Sequence, residues 1–553
     1  MKLKEKTFVK NFDMEKASVT GFCTFCRKNI PLIIAVSITL FFTYGIRLFW
    51  YSIGVDTDFF MSDKPGMLKW SMTIGRFGYV ALSKLWYIKE FNPFTAFFTA
   101  FCLIWFFTIS WCYIIAIFSR DTGRNNKLIP FALIFMTMPV WAEQFYFLLQ
   151  AAENAFIISL CPYVIYLLFK GFLDHEKGKI ICASMLLVLM ISVYQAIVPM
   201  FCCGVFACFL LLQEYSDYKP KVYRKLCLGI FITLAGSLAV YFFIDRIIIP
   251  GIFHLERSNY LENMNQWGKW NVKFIFVNLL LFCYTITIGH IPLVQNIVHP
   301  IITRYVGTSA QLAEIIAHIS RFSGNVLLLP ATVFFLIKIT AIMRKTIPSG
   351  RKLLYFLAGI GVPLSIMFLL FMGGERPPQR SLYVLPLASA FMLFFLIRTY
   401  KKKAAMVVAC LTLLVAAYQA QITAQVFYSD HIRYNEDVRL AYEFNNLIMQ
   451  VQPADRNLPV VFVGRYQAAP RFYTNFLMGD VIGVSIFGSM TSIRGITAHG
   501  IAFMRNLGMN YDMPDDEQLD QAFKEAMLMP VYPAPGCVRR IRDFIVIRIA
   551  ESM

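Results

Sequence analysis

At 553 residues, 58% of them hydrophobic, 16% aromatic and only 15% charged, the chain carries more apolar surface than a soluble fold of its length can bury. A bilayer must therefore solvate part of it. The formal net charge of +19 would suggest nucleic acid in a soluble protein, but the basic residues sit in short clusters between apolar runs, as cytoplasmic loops do, and no nucleic-acid partner is expected.

The lead is basic (Lys2, Lys4, Lys6, Lys10, Arg27, Lys28) and holds a solitary C-x-x-C, Cys23 and Cys26. No second pair or nearby histidine completes the four ligands that zinc requires. The apolar run from Ile30 has full membrane length and no small-x-small cleavage site, so it reads as an anchor. Further spans are expected near 93–118, 128–149, 155–172, 180–196, 197–213, 227–249, 325–343, 353–372, 381–398 and 404–424. Basic clusters set their orientation: Arg120, Arg124 and Lys127; Lys177 and Lys179; Lys219, Lys221, Arg224 and Lys225; Arg344, Lys345, Arg351 and Lys352; Arg398, Lys401, Lys402 and Lys403. With all of these inside, the N-terminus is cytoplasmic and the C-terminus external. Residues 273–290 are apolar enough to span, yet a crossing there reverses every later loop. The stretch with His299, Arg304, Glu314, His318 and Arg321 is a poor return span, so 273–290 reads as re-entrant or interfacial. The expected fold is an all-α polytopic membrane domain of about eleven spans over 1–424, followed by a small α/β domain over 425–553. In the latter, Arg433–Gln450 reads as an amphipathic helix, Val460–Gly464 as a strand, Asp515–Met527 as a charged helix and Phe544–Ile549 as a closing strand. Its one cysteine, Cys537, leaves no disulfide framework there.

The loop after the first span, 51–91, is the most informative stretch. It holds Asp56, Asp58, Asp63, Lys64, Lys69 and Arg76, and a stripe of Trp70, Ile74, Phe77, Ala81 and Leu85 that suggests a helix lying on the membrane. Asp56 and Asp58 then sit at the bilayer edge, where poor solvation raises a carboxylate's proton affinity and suits it to general-base work. Two loop aspartates that are simply solvated give the same pattern. The D-x-D spacing also matches the metal motif of nucleotide-sugar transferases, but those are soluble α/β folds and their donors are scarce outside the cytoplasmic membrane. Glu143 and Glu153 lie near the next outer connection, beside Gln144, Gln150 and Asn154; acidic groups at that depth face a cavity or hold helices together. Asp245 and Arg246 read either as a mutual ion pair or as part of a site. The outer turn with Arg376 and Arg380 is unusual because positive charge is disfavoured there; with Arg76, these arginines suit a lipid phosphate, or snorkel to ordinary headgroups. Seven scattered histidines without H-x-x-x-H or H-E-x-x-H, and no G-x-S-x-G, Walker A or Rossmann signature, exclude zinc-hydrolase, serine-hydrolase and ATP-driven chemistry.

In order and spacing, Gly54, Val55, Asp56, Thr57 and Asp58, then Trp70 and Gly75, Arg76, Phe77, then Tyr194 and Gln195, then Met529 to Pro533 and Phe544 to Ile547 resemble the type II O-antigen glucosyltransferases (GtrII-like) of Gram-negative envelopes. The likeness spans essentially the whole chain. The resemblance implies a GT-C membrane architecture and inverting transfer of glucose from undecaprenyl-phosphate glucose to a sugar of the lipid-linked O-antigen on the periplasmic face of the inner membrane, as in serotype conversion. It puts the catalytic carboxylate in the first outer loop, at Asp56 or Asp58, with Arg76, Glu143, Glu153, Asp245, Arg246, Arg376 and Arg380 as candidate substrate-binding residues. The expected partners are that donor, that acceptor and membrane lipids. No cofactor is expected, and a divalent metal at the acidic loop stays open. A polysaccharide polymerase or ligase, or a lipid-linked glycan flippase, is the alternative; the first usually carries its large outer loop between spans, the second needs midplane ionisable residues or repeat symmetry. The orientation is directly testable. A C-terminal alkaline phosphatase fusion should be active and a C-terminal fluorescent-protein fusion dark, and the reverse result would invert the topology.

Overall fold

The computed structural model describes residues 16–86, 91–216, 218–287, 325–453, 457–467 and 476–551. Among these, seven helices are long and apolar enough to cross a membrane: Ile30–Phe49, Pro93–Phe118, Leu148–Leu173, Ile197–Tyr215, Pro220–Phe253, Ser349–Gly373 and Lys402–Val451. Lys177–Val193, Leu328–Lys345 and Val384–Thr399 lie at three other expected runs. Large apolar side chains such as Ile38, Phe41, Phe231, Phe242 and Leu414 are exposed on these helices, as contact with lipid tails requires.

The expected straight span at 128–149 is instead two helices, Leu128–Thr137 and Val140–Tyr146, bent by 52°. Pro139 is the cause: its ring pushes Met138 out of the helical region, to ψ 125°. Away from water the carbonyls freed by such a break need other donors. Phe135 O accepts from the Trp141 indole at 2.7 Å, Met136 O from the Tyr44 hydroxyl at 2.6 Å, and Thr137 O from Thr423 at 3.1 Å. The next helix starts at Leu148, seven residues before the expected span, and takes in Gln150, Glu153 and Asn154.

The segment read as re-entrant contributes a helix, Val272–Thr287, of 16 residues; the remainder of that expectation, with His299 to Arg321, lies outside the described residues. The stripe from Trp70 to Leu85 does not form one face. Its helix breaks into Lys64–Thr73 and Phe77–Trp86 at Gly75 (φ +80°), Ile74 is buried, and Ala81 and Leu85 are exposed. A side chain at Gly75 would collide with the Tyr241 hydroxyl and crowd Asp245, so the break brings the loop's backbone hard against the helix that starts at Pro220.

The last apolar run does not end at residue 424. It continues as a single 50-residue helix, Lys402–Val451, whose far end packs on a three-stranded sheet. Strands β1 (Val460–Val463), β2 (Val538–Ile541) and β3 (Phe544–Arg548) lie in the order β1-β3-β2, with β1 parallel and β2 antiparallel to β3. Alternate residues divide between two cores. Val460, Phe462, Ile545 and Ile547 meet Phe444, Ile448, Phe487 and Phe503; Val461, Val463, Phe544 and Val546 meet Leu519, Ala522 and Ala526 of helix Asp516–Ala526. Burial on both faces explains why β1 and β3 read as unbroken apolar runs. The first core also takes in Ile53 and Val55 from the loop after the first span, which ties that loop to the sheet.

Candidate active site

The approach to the two aspartates is fixed before they are reached. Ser52 donates to Asp430, Ile53 O accepts from Arg433 at 3.0 Å, and Val55 N donates to the Tyr146 hydroxyl at 3.1 Å. Gly54 lies so close to the Tyr146 ring that any side chain there would overlap it. The turn itself is closed by Asp58 N to Gly54 O at 3.1 Å and Phe60 N to Asp56 O at 3.0 Å. Within it Asp56 takes φ +67°, a conformation that costs a non-glycine residue about 1–3 kcal/mol and persists only where the surroundings impose it.

The two carboxylates differ. Asp58 is fully buried; one oxygen meets His499 Nδ1 at 2.7 Å, and its backbone carbonyl accepts from Asn506 at 2.9 Å. Asp56 is partly exposed, and among the described residues its carboxylate has neither a hydrogen-bond nor an ion-pair partner. Burial of its surroundings pushes its carboxyl above the ordinary range, while the charges of His499, Arg380 and Arg76 oppose the shift and Asp58 adds to it. His499 moves up as well: burial disfavours its cation, and the carboxylates of Asp58 and Asp56 outweigh that.

Two of the expected arginines face this pair. Arg380 lies over the Phe147 ring at 4.9 Å and donates to the Tyr260 hydroxyl at 3.3 Å. Burial works against its cation, but the neighbouring Tyr194, Tyr260, Asp56 and Glu143 hold its proton more firmly still. Arg76 lies over the Tyr194 ring at 4.7 Å and donates to Gln150 at 3.2 Å, with its Nε buried and unpartnered. The structure thus gathers Asp56, Asp58, Arg76 and Arg380 and adds His499, Tyr194 and Tyr260.

Other expected residues are engaged elsewhere. Arg376 pairs with Asp480 at 3.0 Å, and Gln379 donates to the same carboxylate through its side chain and backbone, both at 2.9 Å. Asp245 pairs not with Arg246 but with Arg257, and Arg246 lies 3.7 Å from Glu262 at an exposed position. Glu143 is buried and accepts from the backbone of Asp480 at 2.5 Å and of Val481 at 3.5 Å. Glu153 is buried with neither oxygen partnered among the described residues. No group of three or more His, Cys, Asp or Glu side chains that could hold a metal occurs among the described residues. His499 escaped the sequence reading because nothing near it in the chain marks it; it stands on helix Ile493–Asn506, 441 residues from its partner.

A family model described as glucosyl transferase GtrII matches residues 53–397, well over half of the chain. Asp56, Asp58, Arg76 and Arg380 fall inside the match. His499, the Met529–Pro533 run and the Phe544–Ile547 run fall beyond it. No curated protein matches the chain.

The unequal settings of the two aspartates give opposite expectations for folding. Asp58→Asn removes the charge that His499 meets in a buried site and should cost about 1–3 kcal/mol, seen as a lower unfolding temperature in detergent. Asp56→Asn removes no partner, and asparagine tolerates positive φ, so that variant should melt with the parent. A destabilised Asp56→Asn beside an unaffected Asp58→Asn would reverse the assignment.

Proposed function

The chain belongs to the GtrII family of glucosyl transferases, and from that membership we propose that it moves glucose from undecaprenyl-phosphate glucose to a sugar of the lipid-linked O-antigen, with inversion, on the periplasmic face of the inner membrane. The observation that carries this reading is Asp56: a carboxylate without a partner among the described residues, in a strained turn, with the charges of two arginines acting on it. A group left unsatisfied in that way is poised to accept a proton from something that enters the site.

In the proposed step the acceptor hydroxyl gives its proton to Asp56 while its oxygen attacks the anomeric carbon from the side opposite the phosphate. The bond from that carbon to the phosphate oxygen breaks, and undecaprenyl phosphate leaves with the bonding pair. The donor phosphodiester bears one negative charge and the leaving monoester bears two. Arg380 and Arg76 therefore gain most as the bond breaks, which is where stabilisation speeds the reaction. Tyr194 and Tyr260 hold these guanidiniums in place. The sugar arrives already activated by its lipid phosphate, so the step needs no nucleotide. Asp58 is read as the anchor of the turn, and Arg376 is left to Asp480.

Two measurements on purified protein in lipid vesicles test this. Asp56→Asn keeps the shape and removes the basic oxygen; turnover should fall by roughly 10²–10⁴-fold with donor binding retained. Arg380→Ala should instead weaken donor use by about tenfold or more, as expected for a charged hydrogen bond of roughly 1.5–3 kcal/mol, whereas Arg376→Ala should leave donor affinity unchanged. Wild-type turnover by Asp56→Asn would place the base elsewhere.

A further inference from the structure

His499 enters the site from beyond the part of the chain that the family match covers. Its helix, Ile493–Asn506, is capped by Ser492, whose side chain accepts from Gly495 N at 3.1 Å. The Thr497 hydroxyl fastens it to β1, accepting from Phe462 N at 3.1 Å and donating to Phe462 O at 3.3 Å. From this mount, His499 Nδ1 meets the Asp58 carboxylate, the Phe59 ring stands edge-on to the imidazole at 4.6 Å, and Asn506 donates to the Asp58 carbonyl. One helix thereby holds both the side chain and the backbone of the residue two places after Asp56.

The charged groups around the imidazole are few. The first loop brings Asp58 and Asp56. On its own helix Arg494 pairs with Asp516 of the neighbouring helix, and Arg505 donates to the Tyr511 carbonyl at 2.7 Å. Strand β1 and the turn Ile486–Gly488, which also pack on this helix, contain no titratable side chain. Among the described residues, the Asp58 and Asp56 carboxylates are the charges that act on His499.

We propose that His499 is a positioning residue for glucosyl transfer: it fixes the Asp56 turn through its hydrogen bond to Asp58. Its positive charge also opposes the rise that burial imposes on the Asp56 carboxyl. The C-terminal sheet region is then part of the active site and not an appendage to it. This inference rests on Asp56 being the base.

The test uses the full chain in phosphatidylethanolamine–phosphatidylglycerol vesicles, with radiolabelled undecaprenyl-phosphate glucose as donor and lipid-linked O-antigen as acceptor. His499→Ala removes both the hydrogen bond and the charge. His499→Asn keeps an N–H donor close to where Nδ1 stands but carries no charge. His499→Ala should lower kcat at least tenfold with the donor KM within twofold, and His499→Asn should recover part of the loss. In both, the acidic limb of the pH–rate profile should move to higher pH, because Asp56 loses the cation that lowers its proton affinity. A role confined to folding would reduce the amount of active protein and leave the profile in place. An inactive Asp56→Asn beside His499 variants with the parent profile would overturn this inference alone; a fully active Asp56→Asn would overturn it together with the base assignment.

Discussion

Two arginines and two aspartates, all fully buried, hold the loop after the first span to the rest of the protein. Arg433 donates to Asp430 at 3.1 and 2.6 Å, to Asp437 at 3.0 Å and to Ile53 O at 3.0 Å; Arg47, at the end of the first span, meets Asp430 at 3.0 Å. Taking four charges out of water costs several kcal/mol for each, and only full pairing offsets that. Pairing here is close to complete. The aspartates' remaining acceptor sites take Ser52, Gly483 N at 3.2 Å, the Ser485 hydroxyl at 2.5 Å and Ile486 N at 3.0 Å. Two segments far apart in sequence, residues 47–53 and 483–486, thus meet on one stretch of the long helix in a single register. A cluster of this kind contributes little net stability over an apolar core, but it penalises every misaligned arrangement by leaving a bare charge. Asp56 lies three residues from Ile53 and inherits that precision.

The charge balance at the site follows from the same economy of pairing. Burial raises the proton affinity of Asp56, and the charges of His499, Arg380 and Arg76 oppose that rise. Glu143 stands beside Asp56 among the acids that act on Arg380.

Much of the helical framework was legible because apolar runs and basic loops are local signals. The bend at Pro139 was present in the sequence as a Met-Pro step, and length alone hid it. The aspartates and the pair Arg76 and Arg380 stood out because charge is scarce at an outer membrane edge. The mutual ion pair read for Asp245 and Arg246 does not form, for a geometric reason: adjacent residues on a helix point in different directions, so neighbours in sequence do not pair. Each instead found a partner about a dozen or more residues away. Arg376 carried the same local signal as Arg380, and only the fold reveals that Asp480, 104 residues on, claims it. His499 carried no signal at all. A lone histidine between Ala498 and Gly500 on an amphipathic helix is indistinguishable from a packing residue until Asp58 is beside it.

The continuity of helix Lys402–Val451 gives these contacts their consequence. A flexible joint after the last apolar run would let the sheet region drift relative to the membrane helices, and a base held from both sides would then be pulled out of place. An unbroken helix transmits position instead. Its early turns expose apolar side chains such as Met406, Leu411 and Leu414, its middle buries the charge cluster, and Leu440, Phe444 and Ile448 enter the core beneath β1. Ile53 and Val55 enter that same core from the other side of Asp56. The turn is thus fixed by the charge cluster before it, by the sheet core beneath it and by His499 after it, while Arg76 stands in the same loop and Arg380 in the turn Gln379–Ser381. Asp56, fastened through its turn to the membrane helices and to the sheet region, holds one position relative to each, the fixed geometry that the proposed base requires.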